Sequence, residues 1–105
     1  MAFNLTHRYG SMDPGEPSSD LLALLSELED RPLDAEHGSV AVTHESEWML
    51  SVSRGGYVTF ENLEAGAGGE RHMDGVPTGK ILELWRCLAE GNLAAIEQEP
   101  WLPGY

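Results

Sequence analysis

Three short segments in which apolar and polar residues alternate, joined by sequences suited to tight turns, constrain the fold of this chain most strongly. They are Ser39–His44, Trp48–Ser53 and Tyr57–Asn62. Alternation with a period of two is typical of a strand that buries one face. Between the second and third segments, Gly55 and Gly56 can adopt the positive φ angles that a tight hairpin needs. The region is therefore predicted to be an antiparallel three-stranded meander.

Two further stretches repeat apolar residues at i, i+3, i+4 and i+7, which is the spacing of an amphipathic helix. The first set is Leu21, Leu24, Leu25 and Leu28, and the second is Ile81, Leu84, Trp85 and Leu88. Either Ser18 or Ser19 is expected to cap the first helix, which must end before Pro32. Thr78 is expected to cap the second helix and Gly91 to stop it. One helix is thus predicted on each side of the meander along the chain.

The remaining segments complete the predicted fold. Alternation from Phe3 to Tyr9 predicts a strand, and the Gly-, Pro- and Ser-rich residues 10–20 predict a loop that leads to the first helix. Arg71–Met73 is expected to add a short edge strand, and Ala94–Glu97 one last short strand. The C-terminal aromatic residues are expected to pack as plugs outside regular elements: Trp101 and Tyr105. The 105 residues fit a single domain, residues 1–105. We therefore predict an α+β fold in which an antiparallel sheet of about four to six strands, with a central meander, packs against two amphipathic helices.

The charge of the chain is strongly negative. Eighteen acidic residues stand against six basic ones, which gives a formal net charge of −12. Such a surface repels phosphate backbones and anionic lipid, so direct binding of nucleic acid or of a membrane is disfavoured, whereas a basic partner protein is attracted. The alternative interpretation is that the charge only keeps the protein in solution.

Cys87 is the single cysteine of the chain, which excludes an intramolecular disulfide and a cysteine-rich zinc site. It lies on the apolar stripe of the second predicted helix and is interpreted as a buried small hydrophobe rather than a reactive thiol. The first ten residues do not have the charged start and apolar run of a signal peptide, and no segment reaches the length that spans a bilayer. A reducing, cytoplasmic location is expected.

Motifs for nucleotide binding and catalysis are incomplete. The segment "MDGVPTGK", Met73–Lys80, has three residues rather than four between its glycines, and its lysine is not followed by the Ser or Thr of a phosphate loop. It is interpreted instead as the entry to the second helix, with Lys80 paired to nearby carboxylates. The histidines lack the spacing of a metal-binding helix, and a composite site of His44, His72 and Glu61 is the metal hypothesis left open. The chain is predicted not to be an enzyme and to hold no cofactor or metal.

Carboxylates beside rigid aromatic area are the pattern that a protein-binding surface needs. Glu45 and Glu47 adjoin Trp48 at a predicted hairpin turn, where the tryptophan can serve either as core or as the centre of an interface. The carboxylates that flank the Gly-rich segment are Glu61, Glu64, Glu70 and Asp74. One negative rim formed by these groups would steer a basic partner, and the tryptophan would slow its dissociation. All seven residues are predicted to bind a partner protein.

Three stretches of the sequence carry a family resemblance. They are "WMLSVSRGGYVTFEN" (Trp48–Asn62), "GVPTGKILELWRCLAEGN" (Gly75–Asn92) and "IEQEPW" (Ile96–Trp101). In their order and spacing they resemble the family catalogued as number one among immunity proteins of bacterial polymorphic toxin systems, some members of which neutralise nucleic-acid deaminase toxins. Members of that family carry a longer, more aromatic segment before the second helix than "AGAGGERHMDG". This departure concerns the partner more than the fold.

The resemblance implies inhibition by binding. A cognate secreted toxin domain with a basic surface would be held in a one-to-one complex, with its active site or substrate channel blocked. An acidic plug is physically suited to a channel that grips nucleic acid, because carboxylates imitate phosphates there. Two other classes stay open on the residues alone. One is an acidic adaptor or peptide-binding module that extends the sheet edge by strand addition, and the other is a small hydrolase or metal enzyme.

Overall fold

The computed structural model describes residues 3–7, 11–15, 21–29, 38–53, 55–62 and 70–103. Over these residues the chain forms seven strands and three helices. The strands are β1 (Phe3–Thr6), β2 (Met12–Pro14), β3 (Ser39–His44), β4 (Trp48–Ser53), β5 (Tyr57–Asn62), β6 (Arg71–Met73) and β7 (Leu102–Pro103). The helices are α1 (Leu21–Ser26), followed by a 3₁₀ turn (Glu27–Glu29), α2 (Thr78–Ala89) and α3 (Leu93–Glu97). The predicted α+β fold class is confirmed.

The described strands join one antiparallel sheet in the order β2-β1-β3-β4-β5-β6-β7. Its centre confirms the predicted meander, because β3, β4 and β5 have the predicted bounds and pair in sequence. Val42 lies opposite Leu50, and Leu50 lies opposite Phe60. Since side chains alternate across a strand, this register places the apolar residues of all three strands on one face.

The helices cover that face, and the core lies between the two layers. The α2 residues at helical spacing are at most 2% exposed: Ile81, Leu84, Trp85 and Leu88. Trp85 also donates its indole N–H to the Leu50 carbonyl at 2.9 Å, so its polar atom is satisfied inside the core. In α1 and its 3₁₀ turn, Leu21, Leu24 and Leu28 are buried, while Leu25 packs at the margin. Burial of each such side chain contributes about 1.5–3 kcal/mol, so the two predicted stripes hold the helices on the sheet.

Four strands outside the meander extend the sheet. β1 confirms the N-terminal strand as far as Thr6, while the predicted continuation to Tyr9 lies outside the described residues. β6 confirms the strand at Arg71–Met73 but is not an edge, because β7 pairs with it. The loop predicted over residues 10–20 is wrong at Met12–Pro14, which pairs with β1 as β2. All three β2 residues are exposed, so backbone hydrogen bonds hold the strand and its sequence shows no apolar pattern.

The strand predicted at Ala94–Glu97 is wrong, because Leu93–Glu97 forms α3. Asn92 caps this helix: its side-chain oxygen accepts the Ala95 N–H at 3.4 Å. Ile96 is buried in the core. A short apolar stretch of this kind fits a strand or a helical turn equally well, and here the cap and the core contact select the helix.

The ends of α2 differ in part from the expectation. Pro77 occupies the N-cap position in an extended conformation and makes no side-chain cap, so Thr78 is the first helical residue and not the cap. The fixed φ of proline suits a residue that leads into a helix. Gly91 has a φ of 78° just beyond the C-cap, which confirms it as the stop signal. The predicted start and stop signals of the first helix lie outside the described residues: Ser18, Ser19 and Pro32.

Trp101 pins the C-terminal segment onto the core, as predicted. The side chain is half-buried, donates its indole N–H to the Ile96 carbonyl at 2.8 Å, and stacks on Phe60 with ring centroids 5.4 Å apart. From there the chain enters β7. The second expected plug, Tyr105, lies outside the described residues.

Candidate functional site

Two predicted carboxylates and Trp48 meet where the first hairpin of the meander turns. Glu45 and Glu47 lie in the turn between β3 and β4, and Trp48 begins β4 opposite Asn62, the last residue of β5. The Asn62 side-chain amide also donates to the Ser46 carbonyl at 3.4 Å, so the turn and the end of β5 are in contact. This turn therefore lies at the same end of the sheet as the last residues of β5.

Two more predicted carboxylates lie at the same end. Glu61 is opposite Met49, in the row next to Trp48. Glu70 immediately precedes Arg71, which lies opposite Phe60, so Glu70 also reaches the last rows of the sheet. Together these residues form what we call the acidic end of the sheet: Glu45, Glu47, Trp48, Glu61 and Glu70.

The structure does not bring Asp74 to the acidic end. Asp74 follows Met73, which lies opposite Val58 near the start of β5, so it reaches the opposite end of the sheet. Its carboxylate accepts the Gly75 N–H at 2.8 Å and lines a largely apolar groove of about 460 Å³ beside the start of α2. Glu64 lies outside the described residues. The predicted rim is therefore divided: Glu45, Glu47, Glu61 and Glu70 lie at one end of the sheet and Asp74 at the other.

The β3–β4 turn has an unusual backbone conformation at Glu47. The Glu47 N–H donates to the His44 carbonyl at 2.9 Å, which closes a three-residue loop. Among the described non-glycine residues, Glu47 alone has a positive φ, of 71°. This conformation costs an L-residue about 1 kcal/mol because Cβ crowds the backbone. Glu45 is exposed and Glu47 partly exposed, so a partner can reach both.

His44 adjoins this turn and has a structural role. Its Nδ1 accepts the Ser46 N–H at 3.1 Å and lies 2.8 Å from the Ser46 hydroxyl, so the neutral ring carries its proton on Nε2. His44 is 7% exposed, and its Nε2 is buried without a partner in the described part of the chain. It faces the core opposite Phe3, whereas His72 and Glu61 lie on the other side of the sheet. The composite metal site of these three residues is therefore not formed.

Trp48 belongs both to the margin of the core and to the surface. Its side chain is half-buried, and its ring stacks on Phe60 with centroids 4.6 Å apart and planes at 17°. The Arg71 guanidinium carbon lies 5.7 Å from the Trp48 ring centroid and 5.2 Å from that of Phe60. Cation–π contacts of this kind add to the ring packing. The two interpretations of Trp48 are thus compatible: it contributes to the core and leaves part of its surface accessible.

Arg71 also takes part in this site, although no pattern in the sequence predicts it. Its guanidinium donates to both carboxylate oxygens of Glu97, at 2.5 and 2.6 Å, which joins β6 to α3. The hydrogen bonds to Glu97 raise the pKa of Arg71, and the guanidinium lowers the pKa of Glu97. A bidentate pair of this kind holds its geometry firmly. The cation is fixed over the aromatic rings, and its charge is balanced within the protein.

The Met73–Lys80 segment, which partly resembles a phosphate loop, has a structural role. The Val76 N–H donates to the Gly56 carbonyl at 3.0 Å, which ties the entry of α2 to the β4–β5 turn. The Lys80 amine lies 3.4 Å from the Glu83 carboxylate and 3.3 Å from that of Glu99, which confirms its predicted pairing. The hydrogen bond to Glu99 is the main reason that the pKa of Lys80 is raised. The amine is thus engaged by carboxylates of its own chain.

His7 forms a second polar cluster that the sequence does not reveal. Its Nδ1 lies 2.5 Å from the Glu27 carboxylate and its Nε2 lies 2.7 Å from that of Asp13. The hydrogen bond to Glu27 is the main cause that raises the pKa of His7, and Asp13 adds to it. The cluster joins the β1–β2 edge of the sheet to the 3₁₀ turn after α1. His7 follows the end of β1 that pairs with Ala41, whereas the other end of β1 pairs with His44 beside the acidic end.

Cys87 is half-buried in α2. Burial is the main cause that raises the pKa of its thiol, and Glu83 and Glu90 act in the same direction. The thiol is therefore protonated at neutral pH. The predicted full burial is wrong, because Cys87 is only partly buried and packs at the margin of the core.

Comparison with known protein families, curated proteins and solved structures gives no match to this chain. Over the residues that the structure describes, no helix is both long enough and apolar enough to cross a bilayer. The same residues contain no group of three or more His, Cys, Asp or Glu side chains placed to hold a metal ion. The geometry thus defines an α+β protein in which four carboxylates lie at the sheet end where Trp48 stacks on Phe60. That arrangement can attract and hold a cationic surface.

Proposed function

We propose that this protein is an immunity protein, which binds a cognate secreted bacterial toxin domain in a one-to-one complex and inhibits it. The toxin acts on nucleic acid, as a deaminase or a nuclease, and is inhibited by a block over its active site or substrate channel. The observation that carries the proposal is the acidic end of the sheet, where Glu45 and Glu47 adjoin the partly exposed Trp48 and Glu61 lies on the other side of the same sheet end. No direct contact with nucleic acid or a membrane is part of the proposal.

Charge and rigidity suit the acidic end to this role. An enzyme that grips nucleic acid needs a positively charged channel, and carboxylates on a rigid hairpin can occupy that channel. Attraction between a chain of net charge −12 and a basic domain also speeds their encounter. The Arg71–Glu97 pair and the ring stack on Phe60 hold Trp48 in place, so little side-chain entropy is lost on binding.

An adaptor that works by strand addition is less well supported. Strand addition needs a free sheet edge, whereas the meander edges β3 and β5 are already paired with β1 and β6. In the described sheet, the outer strands β2 and β7 have three and two residues, and they contain Pro14 and Pro103. Proline cannot donate a ladder hydrogen bond, so both edges are protected against an added strand.

Co-expression with the protein encoded immediately upstream of this chain's gene tests the proposal. We expect that protein to be toxic alone, to be harmless when this chain is present, and to co-purify with it in equal amounts. An upstream protein that is harmless alone, or that stays toxic in the presence of this chain, would refute the proposal.

Charge reversal at the acidic end is expected to slow association with the toxin. Glu47→Lys and Glu61→Lys should each lower the association rate constant by about three- to tenfold at low salt and flatten its dependence on NaCl, because steering is lost. Asp74→Lys is the matched control, since it makes the same charge change at the opposite end of the sheet. Stopped-flow fluorescence measures the rates. Equal slowing by all three variants would show that net charge, and not the acidic end, steers the partner.

A further inference from the structure

Among the described residues, the side chains of β4, β5 and β6 that point away from the core are partly exposed. Since Val42, Leu50 and Phe60 face the core, their strand neighbours Thr43 and Met49 lie on the other side. The helices bury their apolar residues in the core, so no described helix packs on this second side. We call it the open face, and the residues that matter below are Met49, Ser51, Tyr57, Thr59, Glu61 and His72.

The open face carries little charge for so acidic a protein. The chain has 18 acidic residues, yet across the described strands β3 to β6 the open face has one carboxylate, that of Glu61, with Glu70 in the adjoining row just before β6. Its other positions are mainly Ser and Thr, with one Met, one Tyr, one Ala and one His. The outer side of a two-layer sheet that only faces water is usually polar and charged. Depletion of charge is typical of the centre of a protein interface, and Met49 and Tyr57 are of residue types enriched there.

Side chains of the open face hold one another in place. The Tyr57 and His72 rings stack across β5 and β6, with centroids 5.5 Å apart and planes at 16°. The Ser51 and Thr59 hydroxyls share a hydrogen bond across β4 and β5. Ala41 and Thr43 of β3 are only 5% and 8% exposed, so the accessible part of this side within the meander lies on β4 and β5. A face with fixed side chains loses little conformational entropy when a partner docks on it.

The open face and the acidic end together have the size of a protein interface. The five neighbouring strands β1, β3, β4, β5 and β6 are spaced about 4.8 Å apart and are up to about 20 Å long. Together they give a flat footprint of roughly 400 Å². A stable interface buries about 800 Å² on each partner. The open face therefore supplies about half of the required area. The acidic end, which adjoins it through Glu61, is placed to supply the rest.

We propose that the toxin domain docks on the open face, with a flat, weakly charged surface over Met49, Tyr57 and Thr59 and a border of lysine or arginine residues against the acidic end. This inference rests on the proposed function. Glu61 belongs to both surfaces, because it lies opposite Met49 on the open face and in the last rows of the sheet. A partner attracted by the acidic end is thus brought directly over the open face. A weakly charged centre with a charged rim is the usual arrangement of a specific interface.

A second copy of this chain is a poorer occupant of the open face. Each copy carries a net charge of −12, so two copies repel each other at long range. A basic toxin domain is attracted instead, and its cations match the carboxylates at one border of the face. Charge complementarity therefore selects the toxin over self-association.

A cation placed in the middle of the open face tests the inference. Thr59→Arg puts a charged side chain at its centre, and Ser26→Arg makes a comparable change at an exposed site on α1 in the helix layer. The upstream-encoded protein is the probe, and biolayer interferometry measures its affinity for each variant. We expect Thr59→Arg to weaken binding by about 30-fold or more and Ser26→Arg by less than about threefold.

Hydroxyl-radical footprinting of the wild-type complex gives a second measurement that does not depend on the folding of any variant. Labelling of Met49 and Tyr57 is expected to fall when the upstream-encoded protein is bound. Labelling of Leu22, which is 52% exposed on α1, is expected to stay unchanged. Together the two measurements separate the open face from the helix layer.

The possible failures can be distinguished. If the wild-type chain does not bind the upstream-encoded protein, the proposed function fails and the inference fails with it. If the wild type binds but Met49 and Tyr57 stay fully labelled, the open face is not the interface although the proposed function stands. If analytical ultracentrifugation shows a dimer of the free chain that Thr59→Arg dissociates, the open face serves a second copy and the inference is also overturned.

Discussion

Among single residues, Glu47 stands in a backbone conformation that favours glycine or asparagine, at the centre of the acidic end. We expect Glu47→Gly to stabilise the protein by about 0.5 kcal/mol, because the relief of about 1 kcal/mol of backbone strain exceeds the cost of about 0.5 kcal/mol from added freedom of the unfolded chain. Urea denaturation followed by tryptophan fluorescence measures the change. Glu45→Gly is the matched control: Glu45 does not have a positive φ, so the variant should lose about 0.5 kcal/mol through added freedom of the unfolded chain.

Glu47→Gly also separates stability from binding. Under the proposed function the variant is more stable but binds the toxin more weakly, since a carboxylate is missing from the acidic end. A loss of stability in the variant would instead show that the Glu47 side chain makes a contact that stabilises its own chain. In that case the stability of its own chain, and not binding of a partner, would account for the positive φ of Glu47.

Among the elements, the β4–β5 hairpin and the entry to α2 depend on one close approach. Gly56 has a φ of 84°, and a Cβ built there would lie 2.6 Å from the Val76 carbonyl oxygen. Gly55 has a similar φ of 91°, but a Cβ there would meet nothing within 4 Å. The two glycines thus share a backbone conformation that strains any other residue, and they differ in the space around them. The Val76 N–H also donates to the Gly56 carbonyl, which keeps the two segments together.

We therefore expect Gly56→Ala to destabilise the protein by about 2–4 kcal/mol and Gly55→Ala by about 1 kcal/mol. Both substitutions strain the backbone, and only the first forces Val76 away from the hairpin. Thermal and urea unfolding of the two variants measure the difference. Equal losses would mean that the segment before α2 moves aside without cost, and the hairpin would then not position the helix.

For the molecule as a whole, the His7 cluster joins the sheet to the helix layer. His7 follows β1, Asp13 lies in β2, and Glu27 lies in the 3₁₀ turn after α1. The two carboxylates raise the pKa of His7 above its ordinary value of 6.5. Because the pKa is higher in the folded state, this stabilisation is fully present below pH 6.5 and is lost as the pH rises through the folded-state pKa.

The free energy of unfolding of the wild type, minus that of His7→Gln, is accordingly expected to be largest near about pH 6 and to shrink towards about pH 9. Urea denaturation of both proteins across this range measures the difference. Taking the difference cancels the titration of groups elsewhere in the chain. A difference that stays constant with pH would show that His7 does not change its protonation over this range. A difference that grows with pH would show that folding lowers the pKa of His7 instead of raising it.

How much of the candidate site could be predicted depends on how far apart its residues lie. Glu45, Glu47 and Trp48 are neighbours in sequence, and strand pairing brings Glu61 to the same end of the sheet, so a correct hairpin prediction is enough to group them. Asp74 is grouped with them by its position in the sequence, but β6 carries it to the other end of the sheet.

The elements divide in the same way. The three meander strands and the two helical stripes could be predicted because side-chain burial imposes a period of two or of 3.6 on neighbouring residues. β2 and β7 could not, because backbone hydrogen bonds hold these short strands at the sheet edges and leave no period in the side chains. The Arg71–Glu97 pair, the His7 cluster and the open face exist only once distant segments are packed together, since their partners come from separate elements.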